Sequence, residues 1–131
     1  MTDPVVKITF GGTEILLPST GRVLKLYKEI TQNSNASFEL DGVDYIVPTG
    51  KKFWILYMTM QQSLGALPVI ISKHTVADTA GGTQIDRMYT GTTAEEQSKS
   101  FISVEAAKYI NGNQTVAGTV YMNIYGVELN V

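Results

Sequence analysis

The chain has 131 residues, with 12 acidic and 10 basic side chains and a formal net charge of −2. That length suits one domain, an apolar content of 44% excludes a disordered tail, and the lack of a basic excess argues against nucleic-acid binding. No apolar run approaches the roughly 20 residues of a membrane-spanning helix, the start Met1-Thr2-Asp3-Pro4-Val5 carries no secretory pattern, and the absence of cysteine removes disulfides, thiolate nucleophiles and Cys-ligated zinc.

Short β-rich runs bounded by turn residues open the chain: Val5–Phe10 leads into Gly11-Gly12, and Thr13–Leu17 into Pro18. Residues Arg22–Thr31 fit two periods. Leu24, Tyr27, Lys28 and Ile30 can form a helical stripe, while Val23–Tyr27 alternates as a strand, and strand is slightly favoured. Phe38–Leu40 and Val43–Val47 flank Asp41-Gly42, a two-residue connection that favours a tight hairpin. A turn at Pro48–Lys51 leads to Lys52–Met60, which is apolar on both alternating faces: Phe53, Ile55 and Tyr57 on one, Trp54, Leu56, Met58 and Met60 on the other. The turn and the aromatic content favour a strand over a helix. Such a strand needs both faces covered, one by an opposing sheet and the other by a long loop, the N-terminal segment or another subunit.

Leu67–Ser72 and Gln84–Tyr89 are further strand candidates, separated by a turn at Ala80–Thr83. Residues 91–100 are the most polar stretch and read as a surface loop with room for a helical turn, after which Phe101–Val104 resumes the strand pattern. Near the end, Val116, Gly118, Val120, Met122, Ile124 and Gly126 alternate with Ala117, Thr119, Tyr121, Asn123, Tyr125 and Val127. This is a long strand with one aliphatic face and one face bearing two tyrosines. The pattern predicts an all-β, single-domain antiparallel β-sandwich. Residues 1–37 would be N-terminal strands or an arm, or part of the same sandwich, and residues 38–131 the sandwich core.

Chemistry-bearing clusters are scarce. His74 is the single histidine; it cannot supply the several imidazoles of a barrel metal site and reads as a loop residue making one hydrogen bond. Glu95-Glu96 reads as solvated surface, and Asp41 and Asp44 sit in or beside a turn for backbone reasons. No Gly-x-Ser-x-Gly elbow occurs, and Gly11-Gly12-Thr13 and Gly81-Gly82-Thr83 lack the ending of a phosphate loop. No catalytic residue, metal ligand or cofactor is therefore expected. Trp54 reads as core or interface, and Tyr121 and Tyr125, flanking Asn123, as an exposed platform or a subunit contact. Charged residues are only 17% of the chain, against roughly 25% in ordinary soluble domains. With 15 Thr and 12 Gly filling the gap, the surface is inexpensive to desolvate against other subunits.

Two stretches together resemble a known group. Tyr45-Ile46-Val47-Pro48-Thr49-Gly50-Lys51-Lys52-Phe53-Trp54-Ile55 resembles the approach to the first long strand of small jelly-roll virion proteins of tailed bacteriophages. Gly118–Glu128, ending Gly126-Val127-Glu128, is similar to their closing strand. The resemblance implies a jelly-roll-like sandwich acting as a non-enzymatic head decoration (cement) subunit. Such subunits are commonly homotrimers, and the chain would then contact itself and the major capsid protein or another virion protein, and neither nucleic acid nor membrane. Its place would be the virion, after synthesis in the host cytoplasm. Core or interface candidates are then Trp54, Tyr57, Tyr121 and Tyr125, with Val5, Val6, Ile8 and Phe10 in a pairing arm. The alternatives are a carbohydrate- or receptor-binding domain of a tail fibre or spike, using exposed aromatics, and a small β-barrel enzyme built around His74 or a carboxylate.

Overall fold

The computed structural model describes residues 5–10, 13–18, 21–62, 67–90, 95–114 and 118–131, with side chains described for 21–61, 69–87, 102–114 and 118–131. It is all-β, and no helix occurs among the described residues. The strands in chain order are β1 (Val5–Phe10), β2 (Thr13–Pro18), β3 (Arg22–Ile30), β4 (Ser34–Ser37), β5 (Glu39–Leu40), β6 (Val43–Asp44), β7 (Lys51–Gln62), β8 (Leu67–His74), β9 (Thr83–Thr90), β10 (Glu95–Glu105), β11 (Tyr109–Gln114) and β12 (Val120–Asn130). β1 and β2 form a two-stranded sheet of their own. The other strands make a six-stranded sheet, in the order β10-β7-β12-β3-β5-β6, and a four-stranded sheet, β4-β11-β8-β9.

All pairings are antiparallel, and they nest. β3 pairs with β12, β4 with β11, β7 with β10 and β8 with β9. The chain from Arg22 onward is thus one long folded-back ribbon whose successive strand pairs go alternately to the two sheets. Two more contacts, β12 with β7 and β11 with β8, close each sheet. That is the topology of a jelly roll, with the small β5–β6 hairpin added at one edge. β3 and β4, both within the first 37 residues, stand in the two sheets beside β12 and β11.

The core between the sheets takes alternate side chains from each strand: Leu24, Leu26 and Ile30 of β3, Val69 and Ile71 of β8, Ile110 of β11, and Val120, Met122 and Ile124 of β12. Each such burial contributes roughly 1.5–3 kcal/mol. In β3 the burial alternates, with Leu24 and Leu26 inside and Val23, Lys25 and Tyr27 outside, so period two prevails over the helical stripe. The Asp41-Gly42 hairpin forms as expected: Leu40 pairs with Val43, and Asp41 (φ 52°) and Gly42 (φ 83°) both take the left-handed conformation of a type I′ turn.

Two expectations change, and between them come two strands that the sequence pattern did not mark. The polar stretch 91–100 is not a loop throughout, because β10 begins at Glu95. Among the described residues β10 is an edge strand bonded to β7 alone, and edges accept polar and charged sequence that a central strand would reject. The polar segments Ser34–Ser37 and Tyr109–Gln114 are strands. Second, β7 does not alternate cleanly. Tyr125 faces Tyr57 while Gly126 faces Ile55, so Leu56 is an extra residue without a partner on β12, a β-bulge. Phe53, Ile55, Met58 and Met60 are all in the core as a result, whereas Trp54, Leu56 and Tyr57 belong to a separate cluster.

Candidate functional site

The outer face of the six-stranded sheet departs furthest from an ordinary soluble surface. Its side chains stand in rows set by the register. Val23, Val127 and Trp54 form one row across β3, β12 and β7; Lys25, Tyr125 and Tyr57 form the next; Tyr27, Asn123 and Thr59 the third; and Glu29, Tyr121 and Gln61 the last. The first two rows enclose a second hydrophobic cluster in which Leu56 and Val127 are buried and Trp54, Tyr57 and Leu129 pack against them. The Tyr57 and Tyr125 rings meet at 5.6 Å and 56°, and the Lys52 ammonium lies 5.4 Å from the Trp54 ring centre. Asn123 Nδ2 donates to Thr59 Oγ1 at 3.0 Å. On the same face Val23, in the first row, is 45% exposed, and Tyr27 and Tyr121, in the third and fourth rows, are 40% and 41% exposed.

Trp54, Tyr57, Tyr121 and Tyr125 therefore share one face. Simple alternation puts Trp54 and Tyr57 on opposite faces; the Leu56 bulge turns the second half of β7 by one residue and unites them. Gly126 permits the bulge to seat, since a Cβ there would overlap the Phe53 ring and the Trp54 carbonyl oxygen. Sequence reasoning missed Val23, Tyr27, Leu56, Val127 and Leu129 as members of this face. The alternation of β12 already placed Val127 beside Tyr125, but the bulge has no comparable signal. Val5, Val6, Ile8 and Phe10 fall on β1, and their side chains lie outside the described residues.

The outer face of the four-stranded sheet has a different character. Two cross-strand rows run over it, Ser37–Asn111–Ser72–Gln84 and Asn35–Asn113–Ile70–Arg87. The β8–β9 loop, residues 75–82, folds back over the start of the first row and is fastened there. Ser37 Oγ donates to Asn111 Oδ1 at 2.6 Å and accepts from the Asp78 N–H at 2.9 Å; Asp78 Oδ1 accepts from the Ser37 N–H at 2.7 Å. Asn111 Nδ2 donates to the carbonyls of Val76 and Thr79, both at 3.1 Å. Beside this clamp lies a cleft of about 220 Å³ lined by Asn35, Ile70, Ser72, Gln84, Asn113 and the Gly81-Gly82 backbone, among others.

The titratable groups are held by structure. Tyr45 is buried and donates to Glu128 Oε2 at 2.7 Å, with Arg22 3.3 Å from the same oxygen. Burial, then that carboxylate, pushes the Tyr45 phenol above its ordinary range. Burial, then the charges of Asp78 and Glu39, raises the Asp44 carboxyl. His74 Nδ1 accepts from the Val76 N–H at 2.8 Å. Among the described residues no group of three or more His, Asp or Glu could hold a metal ion. Glu95 and Glu96 lie on β10 with side chains outside the described residues. The chain matches no protein-family model, and no curated protein matches its sequence.

Proposed function

We propose that the chain is a non-enzymatic structural subunit of a virion, a decoration or cement protein that binds an assembled phage head and associates with itself, as a homotrimer. The reading rests on the outer face of the six-stranded sheet. Aromatic and aliphatic side chains are arrayed there around a buried cluster, with Val23, Tyr27 and Tyr121 left open to solvent. Interface centres are enriched in Tyr and Trp and poor in charge, and contiguous exposed apolar patches mark association surfaces. The jelly-roll topology and the resemblance of the approach to β7 and of β12 to phage virion proteins support the same reading. Binding only the assembled shell stabilises that state by mass action, which requires no catalytic group.

Light scattering of the purified chain, followed by co-sedimentation with expanded phage heads, tests the proposal. The expected mass is three times 14.3 kDa, and V23E with Y121E, on exposed positions, should return the protein to a folded monomer that no longer sediments with heads. A wild-type monomer that does not bind heads would overturn the proposal.

A further inference from the structure

The cleft on the four-stranded sheet lies on the opposite side of the sandwich from the aromatic face, and its lining is built rather than incidental. Asn113 Nδ2 spends both hydrogens inside the protein, one on the Ser34 carbonyl at 3.2 Å and one on Asn35 Oδ1 at 2.7 Å. This fixes the orientation of both amides. Asn113 keeps an acceptor, Oδ1, and Asn35 keeps a donor, Nδ2, side by side in adjacent strands. The side chains of Ser72 and Gln84, neighbours in the other row, make no hydrogen bond among the described residues and add a hydroxyl and a second amide. Ile70 contributes an apolar patch, and among the described residues no charged side chain lines the cleft. Gly82 lets the loop pack tightly against the end of β8, because a Cβ there would meet the Lys73 carbonyl and stand 3.0 Å from His74 Cβ.

We infer that this cleft is a binding site for a neutral carbohydrate unit. A fixed donor beside a fixed acceptor matches two adjacent hydroxyls, each of which can give and accept a hydrogen bond. The apolar patch suits the C–H face of a sugar ring, and an uncharged lining offers nothing to an ionic ligand. The inference does not rest on the assembly role of the other face, so a decoration subunit could display this site outward.

The test is a titration of the full-length protein with maltotriose, cellotriose, chitotriose and mannotriose, followed by the side-chain amide signals of Asn35, Asn113 and Gln84 in 15N–1H spectra. A saturable shift of these signals with at least one sugar is expected. Q84A and N35A should each weaken binding by about tenfold, the loss of one hydrogen bond to a neutral partner, while Y121A leaves it unchanged. Gln84 is exposed and its side chain makes no hydrogen bond among the described residues, so Q84A keeps the fold. Absence of saturable shifts with all four sugars, binding unaffected by both variants, or shifts confined to the Tyr121 face would each overturn the inference.

Discussion

Replacing Gly126 by Ala should be among the most damaging single-methyl additions available in this protein. Gly126 is buried on the inner face of β12, between Leu24 of β3 and Ile55 of β7. An added Cβ would overlap Phe53 Cζ and the Trp54 carbonyl oxygen and stand 2.8 Å from Phe53 Cε2. Neither neighbour can give way easily. The Phe53 ring is fully buried and sits edge-on to Tyr45 at 5.4 Å, and the Trp54 oxygen is backbone in the middle of the sheet. Overpacking a dense core costs about 1–3 kcal/mol, and this site belongs at the upper end, about 3 kcal/mol. Gly112 is the control. Its Cβ would overlap Ile30 Cδ1, the far end of a flexible side chain, and lie 3.2 Å from Phe38 Cε2, so G112A should cost about 1 kcal/mol. Urea unfolding measures both. With m of about 1–3 kcal/mol/M, G126A should lower the midpoint by about 1–3 M. A G126A protein as stable as wild type, or more stable than G112A, would refute the claim that the bulge is rigidly packed around this residue.

Three other expectations follow from the same coordinates. Tyr45→Phe leaves the buried Glu128 carboxylate with Arg22 alone and should cost about 1–3 kcal/mol, seen in thermal melts. The raised Tyr45 pKa gives its stabilisation a pH limit: it is fully present below the ordinary tyrosine value near 10 and declines as pH rises toward the higher folded value. Alkaline unfolding monitored by circular dichroism should therefore steepen above about pH 10 in wild type and lose that component in Y45F. Asn111→Ala removes both carbonyl contacts that fasten the loop 75–82; about 2 kcal/mol of stability should go, and hydrogen exchange at the Asp78 N–H should speed up. Asp44, its carboxyl raised by burial, favours folding when protonated, and that contribution fades as pH rises through its folded pKa. Asp44→Asn should consequently stabilise the protein at pH 7 by less than about 1 kcal/mol, with the advantage gone at acid pH, as paired melts would reveal.

Legibility in the sequence followed how much each element relies on local chemistry. The Asp41-Gly42 hairpin is specified by two residues that tolerate φ above zero, and it appears where expected. β12 reads directly over its first half, because Val120, Met122 and Ile124 alternate with Tyr121, Asn123 and Tyr125. β4 and β11 were invisible, since Ser-Asn-Ala-Ser and Tyr-Ile-Asn-Gly-Asn-Gln lack the apolar alternation that marks a strand. Several of their amide N–H groups bond partners far away in sequence, such as Gln114 Nε2 on the Ile30 carbonyl at 2.7 Å. The aromatic face was half legible. Trp54, Tyr57, Tyr121 and Tyr125 were singled out, but the bulge that gathers them depends on the register between β7 and β12, which no local pattern encodes.

The two outer faces explain why so few charges suffice. A jelly roll buries one side of each sheet, so its remaining sides must meet either water or another molecule. An ordinary antiparallel sheet presents alternating polar residues to water. The four-stranded sheet follows that rule with Asn, Ser and Gln, whose amides and hydroxyls largely bond one another and the loop above them. The six-stranded sheet breaks it in the rows through Val127 and Tyr125, where each cross-strand neighbour on β7 is an aromatic ring. Lys25 is the charged residue of those two rows on β3, β12 and β7, and Lys52, opposite Leu129 in the next row, has its ammonium near the Trp54 ring. A monomer would gain nothing from leaving Val23, Tyr27 and Tyr121 open on the same face. A subunit that must be desolvated gains directly, because burying them adds roughly 25 cal/mol per Å² of apolar surface with few charges to dehydrate.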